Sequence, residues 1–590
     1  MYNERLGRFP MKLCKGMEKR EWIWLFIASL LVLLFSSLPY AVASSRQNAQ
    51  WTFGGAVLNR PDYSVYIADI QSGLRGITFY PMLHSPEEAN PVYLRLFYVW
   101  VGLLGRGTSL PAPVLFHLAR WICGAAALVA MYLLAAQFFR SVGLRRFAWL
   151  VFVFGSGFGW LMVIFNLLPA SGIAPADFSQ IELYGFLTIL LSPHFALTEA
   201  LLWATALAFL NGWSESRHRN AWLAFGLILA VASQSIQLFA PLTLDIAMAG
   251  YGLWRWVNRR RIDRREAVSL LLLALVQLPW VVYSLWVFQT DPIWGSYFQQ
   301  NRVLSPPVID HLLGLGALAF FIVLGLGVAL RRRRAGRWHL MALWIVTIAV
   351  ASYFPSSFSR RFVAGGMGPI ALLVTLGIVA GLWPWVRRMI RGPIRRRYFV
   401  RMSMYGAILL FVSQSTLWFT GGMTAVLSSR DPTFFDTADE LEAMRWLEAN
   451  ADWQDPVFAS DWTGNRIPAA IGHRVYAGHW AESTDYEDKL TRIDRFFRPQ
   501  TMEIDRYSII RDSGCRYVFY GPREREIGDA DLDQAPFLRL VFHNATVRVY
   551  EVVPWEGNFS GQEQNGVGFL FIERRLGMVP SDAGGRALAG

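Results

Sequence analysis

The sequence predicts a multi-pass α-helical membrane protein of about eleven transmembrane helices with a C-terminal extracytoplasmic α/β domain. Three observations carry this. The 590 residues are 54% hydrophobic, with a mean hydropathy of +0.30, whereas soluble domains run near roughly 45–50% apolar. Apolar runs recur at the length, about 20 residues, that crosses roughly 30 Å of hydrocarbon. The clustered arginines fall in every second loop between those runs.

The apolar segments are Trp22–Ala43, Ala112–Phe139, Phe147–Leu168, Tyr184–Leu210, Ala221–Leu238, Ala240–Val257, Ala267–Phe288, Val308–Leu330, Trp338–Phe354, Ala364–Val386 and Met402–Val426. The first is too long for a cleaved signal and lacks a small-residue cleavage site followed by a soluble chain. Lys and Arg number six in Met1–Arg20, three in Arg140–Arg146, two in Ser214–Asn220, six in Arg255–Arg265, five in Arg331–Arg337 and seven in Arg387–Arg401. The opposite short loops are poor in them: Pro169–Leu183 has none and Gln289–Pro307 only Arg302. Positive loops stay cytosolic, so the N-terminus is cytosolic and the C-terminal region extracytoplasmic, in a cell (plasma) membrane.

The net charge of +13 belongs to topology anchors such as Arg331–Arg334 beside anionic membrane lipids, and nucleic acid is not an expected partner. Cys14, Cys123 and Cys515 fall in cytosol, membrane and exterior, which argues against an intramolecular disulfide or thiolate metal site. Cys14 has no apolar signal before it, so a lipoprotein anchor is not expected. The chain divides into a basic N-terminus, 1–21; a bundle, 22–426, that includes a long first outside loop, 44–111; an outside domain, 427–554; and a Gly-rich tail, 555–590, of poorly ordering composition.

The outside domain reads α/β. Asp436 or Thr437 can cap a helix bearing Leu441, Met444, Trp446 and Leu447. Pro456–Ser460 and Arg516–Tyr520 read as strands, and Leu538–Phe542 with Thr546–Val552 as a hairpin turning at His543-Asn544-Ala545. With 15 basic and 23 acidic residues between Leu427 and Pro554, this domain is acidic, and its length suffices for one core.

In the first outside loop, Tyr63, Tyr66, Ile67 and Ile70 recur at helical spacing, with Gly73 as a stop. The tyrosines suit a short helix lying at headgroup level. Asp62 stands at its expected N-cap. A capping carboxylate contributes about 1 kcal/mol, and a cap that faces a cavity also holds a base in place.

A cytosolic N-terminus, one span, then an outside loop opening with Asp62 and an amphipathic helix resembles the GT-C membrane glycosyltransferases. Their relatives include protein O-mannosyltransferases, the aminoarabinose transferase of lipid A and bacterial RgtA/B/C/D-like proteins. The odd span count and C-terminal outside domain match as well. The mannosyltransferases carry an Asp-Glu pair where this chain has Asp62-Tyr63. The resemblance implies Asp62 as catalytic carboxylate, a polyprenyl-phosphate sugar donor, and a lipid, glycan or protein acceptor whose hydroxyl attacks the anomeric carbon. A carboxylate can take the hydroxyl proton, and the leaving phosphate needs positive charge.

Arg360 and Arg361 break the charge rule, sitting in an outside loop. They read either as snorkelling residues or as a phosphate clamp, a role the resemblance implies for a late outside loop. Arg302 is a further cationic candidate. His194, in Ser192-Pro193-His194, is a candidate substrate contact, since prolines and polar groups in spans tend to line cavities; Tyr63, next to Asp62, is another. Asp177 and Glu182 could supply a second carboxylate. Gln234, Gln237 and Asp245 flank Pro241 and suggest a broken helix, with Asp245 paired inside the bundle.

Ser460-Asp461-Trp462-Thr463-Gly464-Asn465 sits where oligosaccharyltransferases carry a Trp-Trp-Asp acceptor motif, and reads otherwise as a strand-to-helix turn. His473 and His479 lack further ligands in sequence, so no metal is assigned, although a divalent ion stays open. Asn544-Ala545-Thr546 and Asn558-Phe559-Ser560 match glycosylation sequons, which arise often by chance. The expected activity is therefore a glycosyltransferase of hexosyltransferase type. The alternatives are a flippase for lipid-linked sugars, disfavoured because no internal repeat is visible, and a non-catalytic envelope scaffold.

Overall fold

The computed structural model describes residues 17–167, 175–214, 217–331, 336–390 and 393–555. The basic segment before Met17 with Cys14, Arg332–Arg334 of the fifth basic cluster, the tail after Trp555 and the Asn558 sequon lie outside the described residues. The chain is a mostly helical, multi-pass membrane protein. Among the described residues, five helices are long and apolar enough to cross a membrane: Lys19–Ser45, Ala112–Phe138, Pro193–Gly212, Arg264–Thr290 and Met367–Met389. Two bent pairs bring this to seven: Val308–Leu315 with Ala317–Arg331, turned 88°, and Ile394–Val412 with Gln414–Ser428, turned 42°.

The other apolar runs fold as helices that are shorter or less apolar, and local chemistry explains the interruptions. Phe147–Leu168 is broken at Gly155-Ser156-Gly157 into Val142–Phe154 and Gly159–Ile164. The Asp177 carboxylate accepts from the backbone N–H of Gly157 (3.0 Å) and Gly159 (3.2 Å), satisfying the groups the break frees. Tyr184–Leu210 breaks before Pro193, which starts a new helix because its missing N–H is harmless in a first turn. The helices Arg219–Ile236 and Pro241–Arg259 are separated before Pro241 in the same way.

The outside domain follows the sequence reading closely. A four-stranded sheet has the order β3-β4-β6-β5, from β3 (Val457–Phe458), β4 (Tyr517–Tyr520), β5 (Leu538–His543) and β6 (Arg548–Val552). Strand β4 is buried on both faces. Tyr517 and Phe519 meet Ala443, Met444, Leu447 and Ile467 on one side. Val518 and Tyr520 meet Ile493, Phe496, Phe497 and Ile510 on the other. Burial on both faces is why Arg516–Tyr520 reads as a continuous apolar run rather than an alternation. Thr437 caps Ala438–Asn450 with Glu440 in a capping box, while Asp436 is occupied elsewhere. Ser460 caps Asp461–Ile471, so Ser460–Asn465 forms a strand-to-helix turn.

The first outside loop is fastened to this domain. Strand β1 (Trp51–Phe53) pairs antiparallel with β2 (Phe435–Thr437). The loop helix is Arg60–Arg75. Its N-cap is Asn59 rather than Asp62: Pro61 fits inside the first turn, which shifts the start one residue before the proline and puts Asp62 at the third helical position. Its stop is Gly76 (φ 96°), not Gly73. Gly73 instead lets the helix touch Phe97–Gly105 backbone to backbone: a Cβ on Gly73 would lie 2.1 Å from the Val99 carbonyl oxygen, and one on Gly102 2.1 Å from that of Ile70.

Arg60 and Arg466 both pair with Asp436, and Arg466 also with Glu440 at 3.1 Å; all four side chains are buried. At the other end of the loop helix, Arg75 donates to the carbonyls of Ile471 and Gly472. Replacing Asp436 by Ala strands a buried guanidinium and is expected to cost about 3–5 kcal/mol, read as a loss of thermal stability of the detergent-purified chain. Gly73→Ala should cost about 1–3 kcal/mol by overpacking, whereas Gly107→Ala, with open space around it, should change little in the same assay.

Candidate active site

The loop helix and the outside domain enclose a cavity of about 400 Å³. The helix Arg60–Arg75 supplies Asp62, Tyr63, Tyr66 and Asp69. The bundle supplies Glu182, His194, Gln234 and Gln237, the outside loops supply Arg95, Arg360 and Arg361, and the outside domain supplies His479, Trp480 and Glu482. Asp62, Tyr63, Tyr66, Glu182, His194, Gln234, Gln237, Arg360, Arg361 and His479, all singled out in the sequence, therefore share one wall-lined space. Arg302 does not line it; its side chain is exposed while its neighbours Asn301 and Val303 point to the cavity. Asp177 belongs to the helix break described above. Asp245 accepts from Gln277 at 2.9 Å within the bundle. Asp461 accepts from Tyr486 at 2.9 Å, away from the cavity wall.

Asp62 is oriented by two neighbours. Asn59, in the left-handed region (φ 48°), donates its amide to Asp62 Oδ2. His479 sits 2.9 Å from Asp62 Oδ1 through Nε2, and its Nδ1 accepts the Ala481 N–H at 3.2 Å. An accepting Nδ1 places the ring proton on Nε2, so the neutral imidazole donates to the carboxylate. His479 is buried, while the Asp62 side chain keeps 37% exposure, directed into the cavity. Burial alone would raise the Asp62 pKa. The His479 hydrogen bond, with contributions from Arg361 and Asn59, holds the carboxyl below its usual range.

The cations divide their tasks. Arg360 Nη2 donates to Glu182 Oε1 at 3.3 Å. Arg361 has no carboxylate within 4 Å among the described residues, and its field reaches Asp62 and Tyr66. Arg95 donates to Glu482, which also accepts the Tyr80 hydroxyl at 3.0 Å. Burial would push the Glu482 pKa up, but Arg95 brings it below its ordinary value. His84, buried near His479, is pushed down to about 4 and stays neutral at pH 7. His194 meets the Tyr98 hydroxyl through Nδ1 at 2.7 Å, and Tyr98 stacks on Tyr66 with centroids 4.3 Å apart.

Nothing local in the sequence marks His479 as a partner of Asp62, 417 residues away; its spacing with His473 raises only the question of a metal ligand. Asn59, three residues before Asp62, carried a readable signal, because helix starts favour Asn. Among the described residues, no three His, Cys, Asp or Glu side chains form a metal-binding set, and both Asp62 oxygens already accept hydrogen bonds. His473 is not on the cavity wall.

A carboxyl with a depressed folded pKa contributes stability above its unfolded value of 3.8, and that stability is lost as pH falls through the folded pKa. Thermal midpoints of wild type and Asp62→Asn should therefore differ at pH 7 and converge on acidification. In His479→Ala the folded Asp62 pKa rises toward its unfolded value, so the acid-dependent loss linked to Asp62 should be smaller than in wild type.

No protein-family model and no curated protein sequence matches the chain. Solved structures with this fold are GT-C glycosyltransferases. The Archaeoglobus fulgidus oligosaccharyltransferase matches at TM-score 0.52 and 14% identity, over 86% of this chain and 70% of that one. ArnT from Cupriavidus metallidurans bound to undecaprenyl phosphate matches at TM-score 0.52 and 13% identity, over 92% of this chain and 100% of that one. The arabinofuranosyltransferase AftD from Mycobacteria matches at TM-score 0.54 and 14% identity, over 93% of this chain but 41% of its own length. These likenesses establish a GT-C-type membrane fold for the chain.

Proposed function

We propose that this protein is an integral membrane glycosyltransferase of hexosyltransferase type. It transfers a sugar from a polyprenyl-phosphate-linked donor to an acceptor hydroxyl on the extracytoplasmic side, with Asp62 as general base. One observation carries this reading: a carboxylate kept ionised and oriented by Asn59 and His479 opens into the same cavity as Arg360 and Arg361. The distribution of Lys and Arg over the loops supports a cytosolic N-terminus and a cavity at the outer face.

In the reaction the acceptor oxygen bonds to the anomeric carbon as the bond from that carbon to the phosphate oxygen breaks. The hydroxyl proton passes to an Asp62 oxygen, whose remaining lone pairs are open to the cavity. The leaving phosphate takes the electron pair. Arg361, with no carboxylate within 4 Å among the described residues, holds it, and Arg360 joins by exchanging or sharing Glu182. The fold favours the same reading, since one protein that shares it is ArnT with undecaprenyl phosphate bound. No step is routed through a metal ion.

Asp62→Asn should lower transfer by about 10²–10⁴-fold while the protein still folds. Polyprenyl-phosphate sugars in membranes expressing wild type or the variant would be profiled by mass spectrometry, and one lipid-linked sugar should accumulate only with the variant. Identical profiles would reject the enzyme reading. Arg361→Ala should lower transfer by about 10²–10³-fold, with partial recovery in Arg361→Lys.

A further inference from the structure

Asp69 stands seven residues after Asp62, two turns along the loop helix and about 10 Å away by helical rise. Both line the cavity, with Tyr66 between them on the same face. Asp69 is 4% exposed. Among the described residues its carboxyl has neither an ion-pair partner within 4 Å nor a hydrogen-bond donor. Arg95, the nearby cation, is committed to Glu482 and to the faces of Tyr80 and Tyr297. The groups that face Asp69 are thus the Glu482 carboxylate, Arg95, and the hydroxyls of Tyr80 and Tyr98.

A buried carboxylate without a partner is costly, and protonation removes most of that cost. The neighbouring negative Glu482 adds to the tendency. Burial first, then Glu482, push the Asp69 pKa well above its ordinary value, against a smaller opposing effect of Arg95. Asp62 and Asp69 are therefore driven apart, one toward the anion and one toward the acid.

We propose that Asp62, Tyr66 and Asp69 form a sugar subsite in which Asp69 acts as a neutral carboxylic acid. Its O–H donates to, and its C=O accepts from, hydroxyls of an uncharged sugar. This deepens the glycosyltransferase reading and rests on it. The chemistry is specific. A protonated carboxyl offers both a donor and an acceptor, as a sugar hydroxyl requires, whereas an ammonium-bearing sugar would call for an ionised partner. Tyr66 lies half-buried between the two acids, its ring backed by Tyr98, a flat surface for the C–H face of a sugar ring.

Infrared spectroscopy of the full chain in nanodiscs at pH 7 tests the charge state without any substrate. A protonated-carboxyl C=O band should be present in wild type and missing in Asp69→Asn. It should also be missing in Glu482→Gln, where Arg95 is released to ionise Asp69. A wild-type spectrum from which Asp69→Asn removes no such band overturns the proposal.

Binding of undecaprenyl phosphate and of undecaprenyl phosphoryl-glucose, measured by native mass spectrometry, tests the subsite. Wild type should prefer the glycosylated lipid, and Asp69→Ala should lose that preference about tenfold while binding undecaprenyl phosphate as before. An unchanged preference in Asp69→Ala overturns the subsite and leaves the glycosyltransferase reading standing. Wild type that binds neither lipid overturns both.

Discussion

Two buried arginines sharing two buried carboxylates hold this molecule in its working arrangement. Arg60 opens the loop helix, Arg466 lies in the helix Asp461–Ile471 of the outside domain, and Asp436 and Glu440 stand between them. Removing any one member leaves an uncompensated charge in a dry place, which is why such a network acts as an all-or-none latch. It fixes the first turn of the loop helix, and Asp62 lies in that turn.

The latch also determines which parts of the outside domain reach the cavity. With Arg75 held by the carbonyls of Ile471 and Gly472, the segment that follows runs back over the loop helix. His479, Trp480 and Glu482 are then laid against Asp62 and Asp69. The outside domain is thus part of the site wall. Two of its side chains support different acids: His479 donates to Asp62, and Glu482 draws Arg95 away from Asp69.

Much of the architecture was legible beforehand. Apolar length and the sidedness of arginine give a multi-pass helical protein, because the bilayer imposes both rules locally. The strands of the outside domain followed from β-branched and aromatic runs between turn residues, and the Thr437 cap from its own chemistry. The interruptions were harder. Gly155–Gly157 and Gly316 sit inside runs that read as continuous spans, since hydropathy averages over a break that backbone geometry and Asp177 decide. The loop helix was legible from its stripe, but its ends were misplaced: Pro61 moved the start, and Gly73 serves close packing rather than termination.

What the sequence by itself determined was the apolar, helical character of the bundle segments and the presence of an acid at the head of an amphipathic loop helix. Those properties depend on a residue and its near neighbours. Only the tertiary structure decided the partners: His479 on Asp62 across 417 positions, Arg360 on Glu182, and the absence of Arg302 from the wall. The physical reason is that a carboxyl's charge depends on what surrounds it within a few ångströms. Asp62 and Asp69, alike in sequence and on one helix face, receive opposite surroundings from a domain folded nearly four hundred residues later.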